Sequence, residues 1–307
     1  MRVLVIARYK ECGYAPFITQ QVVALEKHGV ECQFFPVKSK GITGYLKHLK
    51  SLRKVICDFQ PDVVHAHYGL CGLLANLQRR VPVVTTYHGS DINDKKVLPL
   101  SKMAMRLSAW NIFVSKKTIY IAKPKKKYSL LPCGIDLSDL QLTDKQEART
   151  KMHLQNGKKY ILFAGAFDNQ VKNATLAKET LALLNDKNIE LLELKGYSHD
   201  EVTLMMCAAD AFIMTSISEG SPQVIKEALA CCCPIVSVDV GDVKERIDGV
   251  QGCYIAESRN PKEIANLLQK AFDYQGKTDG RKKIINDGLD NVQIANELMK
   301  IYNSIIK

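Results

Sequence analysis

The chain has no GxGxxG fingerprint, no CxxC pair, one tryptophan in 307 residues, and no apolar run near the ~18 residues that a membrane-spanning helix needs. The first absence counts against a nicotinamide enzyme. The second, with no ligand-like spacing between the ten cysteines and seven histidines, counts against a zinc module. Met1-Arg2-Val3-Leu4-Val5-Ile6-Ala7 has a single basic residue and a short apolar core, so it reads as a first β-strand and not as a signal peptide. Without a secretory leader the cysteines, including the run Cys231-Cys232-Cys233, read as reduced, buried, small apolar residues. No internal repeat or low-complexity tract is present. No helix-turn-helix or aromatic RNA motif is visible, which leaves nucleic-acid binding as a weaker alternative.

What is present fits a globular protein: 46% hydrophobic and 24% charged residues, in a chain long enough for two domains. The formal charge of +11 is uneven. Residues 1–150 carry 24 Lys and Arg against 11 Asp and Glu, and residues 151–307 carry 19 against 21. The partner of the first half is therefore expected to be anionic.

Strand-like runs at 2–7, 30–36, 62–66, 81–86, 110–114 and 128–131 alternate with helical stretches. That pattern predicts a parallel, doubly wound α/β sheet, with functional groups at the carboxyl ends of its strands. Gly13, in the loop after the first strand, fits either close approach to a ligand or a plain turn. Residues 42–59 carry Ile42, Tyr45, Leu46, Leu49, Leu52, Ile56 and Phe59 at helical spacing, which predicts one amphipathic helix. Its lysines, Lys47, Lys50 and Lys54, lie off the apolar stripe and suit water or an anionic bilayer. Lys123, Lys125, Lys126 and Lys127 form a second basic cluster. His65 and His67 share a strand face, yet no third metal ligand stands beside them, so a structural or acceptor-side role reads better. His88 ends an apolar strand where a loop meets a cleft. Asp91, three residues on, is placed to orient that loop.

Residues 139–158 are polar and read as a linker with a short helix. A second domain over 159–289 opens with a strand at Tyr160–Ala164, followed by Gly165-Ala166-Phe167 and, before a helix, Lys172. Another strand, Ile189–Leu194, leads to Gly196 and Tyr197, whose ring could stack on a base or lie on the surface. The stretch Ser218-Glu219-Gly220-Ser221-Pro222-Gln223-Val224-Ile225-Lys226-Glu227 follows a buried strand. Ser221 fits an N-cap, Pro222 the first helical position, and the helix is predicted to reach about Cys232 before Pro234. Val224, Ile225, Ala228 and Leu229 make its buried stripe. An uncovered helix N-terminus at Ser221–Val224 suits a diphosphate. Glu227 lies roughly 9 Å along the axis, about the reach to a ribose hydroxyl pair. By spacing alone, Glu219 and Glu227 serve equally well as solvated surface residues.

The run from Glu219 through EALACCCPIVSVDVGDVKE resembles the signature of the family 4 retaining glycosyltransferases, which have the GT-B fold. His88-Gly89-Ser90-Asp91, Leu131-Pro132-Cys133-Gly134-Ile135-Asp136 and Lys172 carry the same resemblance. It implies two Rossmann-like doubly wound domains facing across a cleft, residues 1–138 on the acceptor side and 159–289 on the donor side. A last helix, 290–307, would pack back on the first domain. It implies a hexosyltransferase that takes a UDP- or GDP-sugar and transfers the sugar with retention, without a metal or other cofactor. His88, Glu219 and Lys172 would be its catalytic residues. Gly13, Lys172, Gly196, Tyr197, Glu219, Gly220, Ser221, Pro222, Val224 and Glu227 would bind the donor, with Glu227 on the ribose. The acceptor would be a saccharide or a polyprenyl-pyrophosphate-linked one, in capsular, exopolysaccharide or lipopolysaccharide assembly. The protein would be cytoplasmic and peripheral on the inner face of the membrane. Three positions depart from the family pattern: Ala166 for arginine, Cys133 for asparagine and Cys232 for glycine. The second domain is also short between Leu184 and Gly196. The loss at Ala166 keeps a non-catalytic sugar-nucleotide binder as the alternative.

Overall fold

The structure is a computed structural model that describes all residues except 12, 40, 126, 275 and 307. Lys126 of the predicted basic cluster therefore lies outside the described residues. The chain divides into two compact units, residues 1–134 with 289–307, and residues 135–288.

The first unit holds strands β1 (Arg2–Arg8), β2 (Glu31–Val37), β3 (Val63–His67), β4 (Val83–Tyr87), β5 (Trp110–Phe113) and β6 (Tyr128–Leu130). All pair parallel, in the order β2-β1-β3-β4-β5-β6. Every residue of β3 and β4 is buried, which explains their near-continuous apolar runs: a parallel sheet is covered on both faces. The helix Gly69–Asn76 presses closely on this sheet. A Cβ on Gly72 would stand 2.5 Å from Thr85 Cγ2, and one on Gly69 would stand 2.0 Å from Ser101 Oγ. The helix Asn291–Ile305, capped by Asp290, belongs to this unit, and its Tyr302 hydroxyl lies 2.6 Å from His65 Nδ1.

The single helix expected over 42–59 is two, Gly41–Leu46 and Leu49–Phe59, with His48 between them. Gly44 is the local reason. It weakens the first helix and lets it approach Ser39, whose Cβ would be 2.8 Å from an added Cβ. Tyr45, Leu52 and Ile56 are buried as the stripe requires, but Ile42 and Leu46 are 46% and 44% exposed.

The second unit holds β7 (Lys159–Phe163), β8 (Ile189–Glu193), β9 (Ala211–Met214), β10 (Ile235–Val238) and β11 (Tyr254–Ala256), parallel in the order β11-β10-β9-β7-β8. The stretch expected to be a linker packs against this unit. Its helix Lys145–Lys151 is capped by Asp144, and Lys145 and Arg149 both reach Asp210 at 2.7 Å.

Each sheet reverses its strand order once, between β1 and β3 and between β7 and β9. Loops leaving such a pair diverge to opposite faces and open a crevice at the carboxyl ends, where open α/β sheets bind ligands.

Candidate active site

After β7 the chain turns through Ala166–Asn169 into a short 3-10 turn, Gln170–Lys172. Asn169 accepts the Val171 N–H to start the turn, and Asn173 ends it in the left-handed region at φ 55°. Lys172 then lies back over Gly165, where a Cβ would meet Lys172 Cγ at 3.0 Å. After β9, the Thr215 hydroxyl donates to the carbonyls of Lys172 and Asn173 at 3.0 and 2.9 Å, tying the two crevice loops together. Arg259 donates to the carbonyls of Thr215 and Ser216 at 2.9 and 2.6 Å. These contacts bring Lys172 Nζ to 2.8 Å from Glu219 Oε1, with the two side chains only 20% and 16% exposed. An ammonium has three donors, so Lys172 can keep this carboxylate and still offer an N–H to a phosphate.

Glu219 and Gly220 pass over Gly241. A Cβ at Gly241 would stand 2.7 Å from the Gly220 carbonyl oxygen and 3.1 Å from Glu219 Cβ, and Gly241 has φ 58°. The helix that follows is Gln223–Ala230, with Pro222 at the N-cap and no side-chain cap. This corrects the expected start, in which Ser221 was the cap and Pro222 the first helical residue. The Ser221 hydroxyl instead donates to Asp242 Oδ2 at 2.8 Å, because a buried carboxylate is a stronger acceptor than a backbone N–H is a donor to it. Val224 is half-buried at the helix start. Glu227, one turn on, is also half-buried; burial pushes its carboxyl above the usual range, while His199 and Lys226 oppose. His199 opens the helix after the loop that carries Gly196, at φ 85°, and Tyr197, 40% exposed. Lys172, Glu219, Gly220, Ser221, Pro222, Val224 and Glu227 thus meet at one switch point, and the Gly196-Tyr197 loop leads into the helix whose His199 acts on Glu227.

The sequence reading missed three parts of this unit. Lys226 is fully buried and donates to Gln223 Oε1 at 2.7 Å, although it lies outside the apolar stripe. Asp242 is held at 3.1 Å by Arg246, which also reaches Asp287 at 3.0 Å. The available signal was Gly241-Asp242 directly after a strand with Arg246 four residues on. Nothing in the pattern marked Arg259.

In the first unit, Lys10 and Gly13 exchange backbone hydrogen bonds of 3.0 and 2.9 Å after β1. Gly13 sits at φ 94°, so the turn itself needs glycine. Across the β1/β3 switch point a cavity of about 600 Å³ is lined by Arg8, Lys10, Gly13, Tyr14, Tyr45 and Tyr68 among others.

Behind it stand three imidazoles. His65 and His67 stack with centroids 4.5 Å apart, and His67 and His88 at 5.2 Å. His67 Nδ1 lies 3.0 Å from His88 Nε2, and His88 Nδ1 faces Cys133 Sγ at 3.7 Å. His65 is fixed by Tyr302 and by the Thr86 hydroxyl at 2.8 Å. Burial drives His65 down to about 3 and holds His67 well below the usual imidazole range, with His65 and His88 adding to the effect on His67. His67 Nε2 is buried without a partner. A buried lone pair is cheaper than a buried orphan N–H, so His67 Nδ1–H donates to His88, and His88 Nδ1–H points at Cys133. Among the described residues no cluster of three His, Cys, Asp or Glu is placed to hold a metal. Asp91 accepts the N–H groups of His88, Gly89 and Gly69 at 3.0, 3.1 and 2.8 Å, so it holds the His88 loop onto the start of the helix Gly69–Asn76. Burial raises its carboxyl to about 6 against those hydrogen bonds.

Comparison with known proteins decides the family. Residues 13–139 match the model described as Glycosyltransferase Family 4, and residues 161–273 the model described as Glycosyl transferases group 1. The chain belongs to the family 4 glycosyltransferases. One relative of this glycosyltransferase is a Bacillus subtilis protein named for teichuronic acid biosynthesis, the glycosyltransferase TuaC. The two are 27% identical over 265 residues, 77% of this chain and 67% of that one. Among solved structures, sucrose-phosphate synthase of Thermosynechococcus elongatus superposes with TM-score 0.83 at 14% identity, covering 99% of each chain. Anabaena HepE in complex with UDP-glucose gives 0.76 at 16% identity, over 99% of this chain and 100% of that one. At those identities the likeness is one of fold, and the fold is GT-B.

The three departures from the family pattern now have surroundings. Ala166 is half-buried and only its carbonyl is engaged, by the Asn169 N–H at 3.1 Å. Cys133 is buried with its sulfur toward His88. Cys232 has φ 56°, the left-handed conformation that glycine adopts at a helix end, and it stops the Gln223 helix two residues before the expected Cys232 end.

Proposed function

We propose that this glycosyltransferase moves a hexose from a nucleoside-diphosphate donor to a saccharide or lipid-linked acceptor, with retention at the anomeric carbon. The observation that carries the reading is the Lys172–Glu219 pair, set at the second switch point beside an uncapped helix N-terminus with Glu227 one turn further on. In this reading the diphosphate lies against Lys172 and the first N–H groups of the Gln223 helix, and both neutralise the charge that builds as it leaves. Glu227 accepts hydrogen bonds from the ribose hydroxyls, whose O–H donors offset the cost of its burial. Glu219, paired with Lys172, stands at the sugar end of the donor. In the first unit the tautomer of His88 is fixed by His67 and Cys133. The diphosphate charge is met by protein groups, so activity should persist in excess chelator; loss of turnover on adding EDTA would count against this charge assignment.

The acceptor side rests on charge and on exposed apolar groups. Lys47, Lys50 and Lys54 are exposed next to exposed Ile42 and Leu46, a combination suited to an anionic bilayer at ~1 kcal/mol per basic residue. No helix among the described residues is long and apolar enough to cross a membrane. With the TuaC likeness, the exposed basic and apolar groups favour surface-polysaccharide assembly on a lipid pyrophosphate carrier. Vesicles with acidic lipid should sediment the protein at low salt, and equal sedimentation with neutral lipid would remove the membrane reading.

The central test is thermal protection by UDP or GDP. Wild type should be protected, and Glu227→Ala should lose roughly 1.5–3 kcal/mol of that binding. Equal protection of both proteins would overturn the site. Release of nucleoside diphosphate in the presence of acceptor separates an enzyme from a binder, the alternative that Ala166 leaves open.

A further inference from the structure

Of the 43 Lys and Arg and 32 Asp and Glu in the chain, residues 95–135 hold ten of the first and none of the second, which leaves 33 against 32 elsewhere. This one stretch therefore carries nearly all of the formal charge, and nine of its ten cations are lysine. The fold gathers them at one edge of the first sheet. The stretch forms the helix Leu98–Leu107, β5, the helix Lys116–Ala122 and β6, and β6 is the last strand in the sheet order. The two helices flank a cavity of about 250 Å³, with buried Met105 and Ala122 in its wall and Lys102, Arg106, Lys123 and Lys125 around them. Large apolar side chains stand out among these cations. Met103, Leu107, Ile121, Tyr128 and Leu130 are exposed, and Tyr120 is 78% exposed.

Folding alone does not call for this pattern. Lysines beside an edge strand keep it from pairing with another sheet, but that leaves Tyr120 and Ile121, which project from a helix, unexplained. Lys116 and Lys117 occupy the first turn of that helix, where cations oppose the helix dipole. Charge of one sign mixed with exposed aliphatic and aromatic groups fits a partner that is anionic at its surface and apolar beneath. An anionic bilayer has that profile: lysines answer its diffuse potential, and tyrosine settles at the headgroup level. A nucleic acid offers phosphates but no apolar layer for Met103, Leu107 and Ile121, and its recognition favours the forked arginine, of which the stretch has one.

We infer that the edge formed by these two helices and β6 is a docking surface for an anionic lipid bilayer, with Tyr120 entering the headgroup layer. The inference rests on the membrane reading proposed above for its partner. The seat is new, because it is built on other elements than the helix that carries Lys50 and Lys54.

The full chain is sedimented at low salt with phosphatidylcholine vesicles that contain or lack phosphatidylglycerol. Lys123→Gln, Lys125→Gln and Lys127→Gln together should weaken partition onto the phosphatidylglycerol vesicles by about tenfold or more, whereas Lys47→Gln, Lys50→Gln and Lys54→Gln together should change it by less than about threefold. Lys123→Arg, Lys125→Arg and Lys127→Arg together should keep wild-type partition, which separates lost charge from a structural fault. Tyr120→Trp should add an emission that shifts to the blue on phosphatidylglycerol vesicles only. A duplex oligonucleotide at matched phosphate concentration should leave the vesicles bound. Equal losses in the two glutamine variants, or loss only in the one at Lys47, Lys50 and Lys54, overturn the seat while the membrane reading survives. Wild-type protein that ignores phosphatidylglycerol overturns both, and protection by UDP still judges the sugar-nucleotide site separately. Displacement by the duplex makes the partner a nucleic acid and overturns the bilayer assignment. An unshifted emission overturns the entry at Tyr120.

Discussion

The first unit buries neutral bases at its switch point, and the second encloses acids together with cations. His65 and His67 are fully enclosed and held neutral; His65 spends both nitrogens on Tyr302 and Thr86, and His67 spends Nδ1 on His88. Asp91 is the exception in that unit, and it is held by three backbone N–H groups. In the second unit Glu227 and Asp242 are pushed up by burial, and Lys172 and Glu219 meet as charged partners. The contrast separates two kinds of polar wall. Neutral imidazoles linked in a row fix the direction of one ring without presenting charge. A charged pair near an uncapped helix end presents a field that a diphosphate can enter. The net charges of the two halves run the other way, with the excess Lys and Arg in the first, so overall charge reports the partner of a surface and not the chemistry of a crevice.

The largest test of that contrast is to remove the charge from the second crevice. Lys172→Met should lower turnover of a sugar nucleotide by about 10²–10³-fold, the usual cost of one electrostatic contact to a developing anion. A loss under about threefold would make the pair structural. Next is the glycine that lets the Glu219 loop settle. Gly241→Ala puts a Cβ against the Gly220 carbonyl at positive φ, and should cost about 1–3 kcal/mol of second-unit stability and weaken UDP protection. Unaltered denaturation and binding would show that the loop does not depend on this approach.

Mild acid should then split the two units. His65 has a folded pKa below its unfolded value, so its contribution is present above about 6.5 and is lost as pH falls toward 3. Between pH 6.5 and 5 that loss is about 2 kcal/mol. His67 acts in the same direction. Asp91, raised to about 6, acts oppositely, its contribution fading as pH rises from 3.8 to 6. Glu227 and Asp242 are also raised, so acid relieves the second unit at these sites. Trp110, the one tryptophan, lies on β5 of the first unit. Its fluorescence transition in urea should fall to lower denaturant from pH 7 to pH 5, ahead of far-UV ellipticity. Coincident shifts by both probes would dissolve the contrast. The smallest effect is a gain. Cys232→Gly should relieve the left-handed helix end by about 1 kcal/mol and raise the second unit's melting temperature by about 2–4 °C; no gain would mean that the strain at φ 56° is already compensated.

Much of the fold was legible because parallel strands leave apolar runs and their helices leave spaced stripes. β1 through β6 fall within about two residues of the predicted runs, and Ile225, Ala228 and Leu229 are buried as the stripe of the helix Gln223–Ala230 requires. What failed was local competition. Ser221 had two possible partners, a helix N–H donating to its oxygen and a carboxylate twenty-one residues on accepting from its O–H, and only the second is a tertiary contact. Gly44 broke a stripe that periodicity alone joined. Lys226 was invisible as a buried group because a lysine in a helix reads as solvated, and only the packing around Gln223 and Asp242 encloses it.

By itself the sequence determined the alternation of strands and helices, the two-domain plan, and the residue types offered at each strand end, because these depend on periodicity and short-range chemistry. The tertiary structure alone decided which of those residues meet. Lys172 and Glu219 are paired because β7 and β9 are neighbours, although forty-seven residues separate them in the chain. The imidazoles stack for the same reason: contacts between distant segments are set by sheet order and helix packing, which no local pattern encodes.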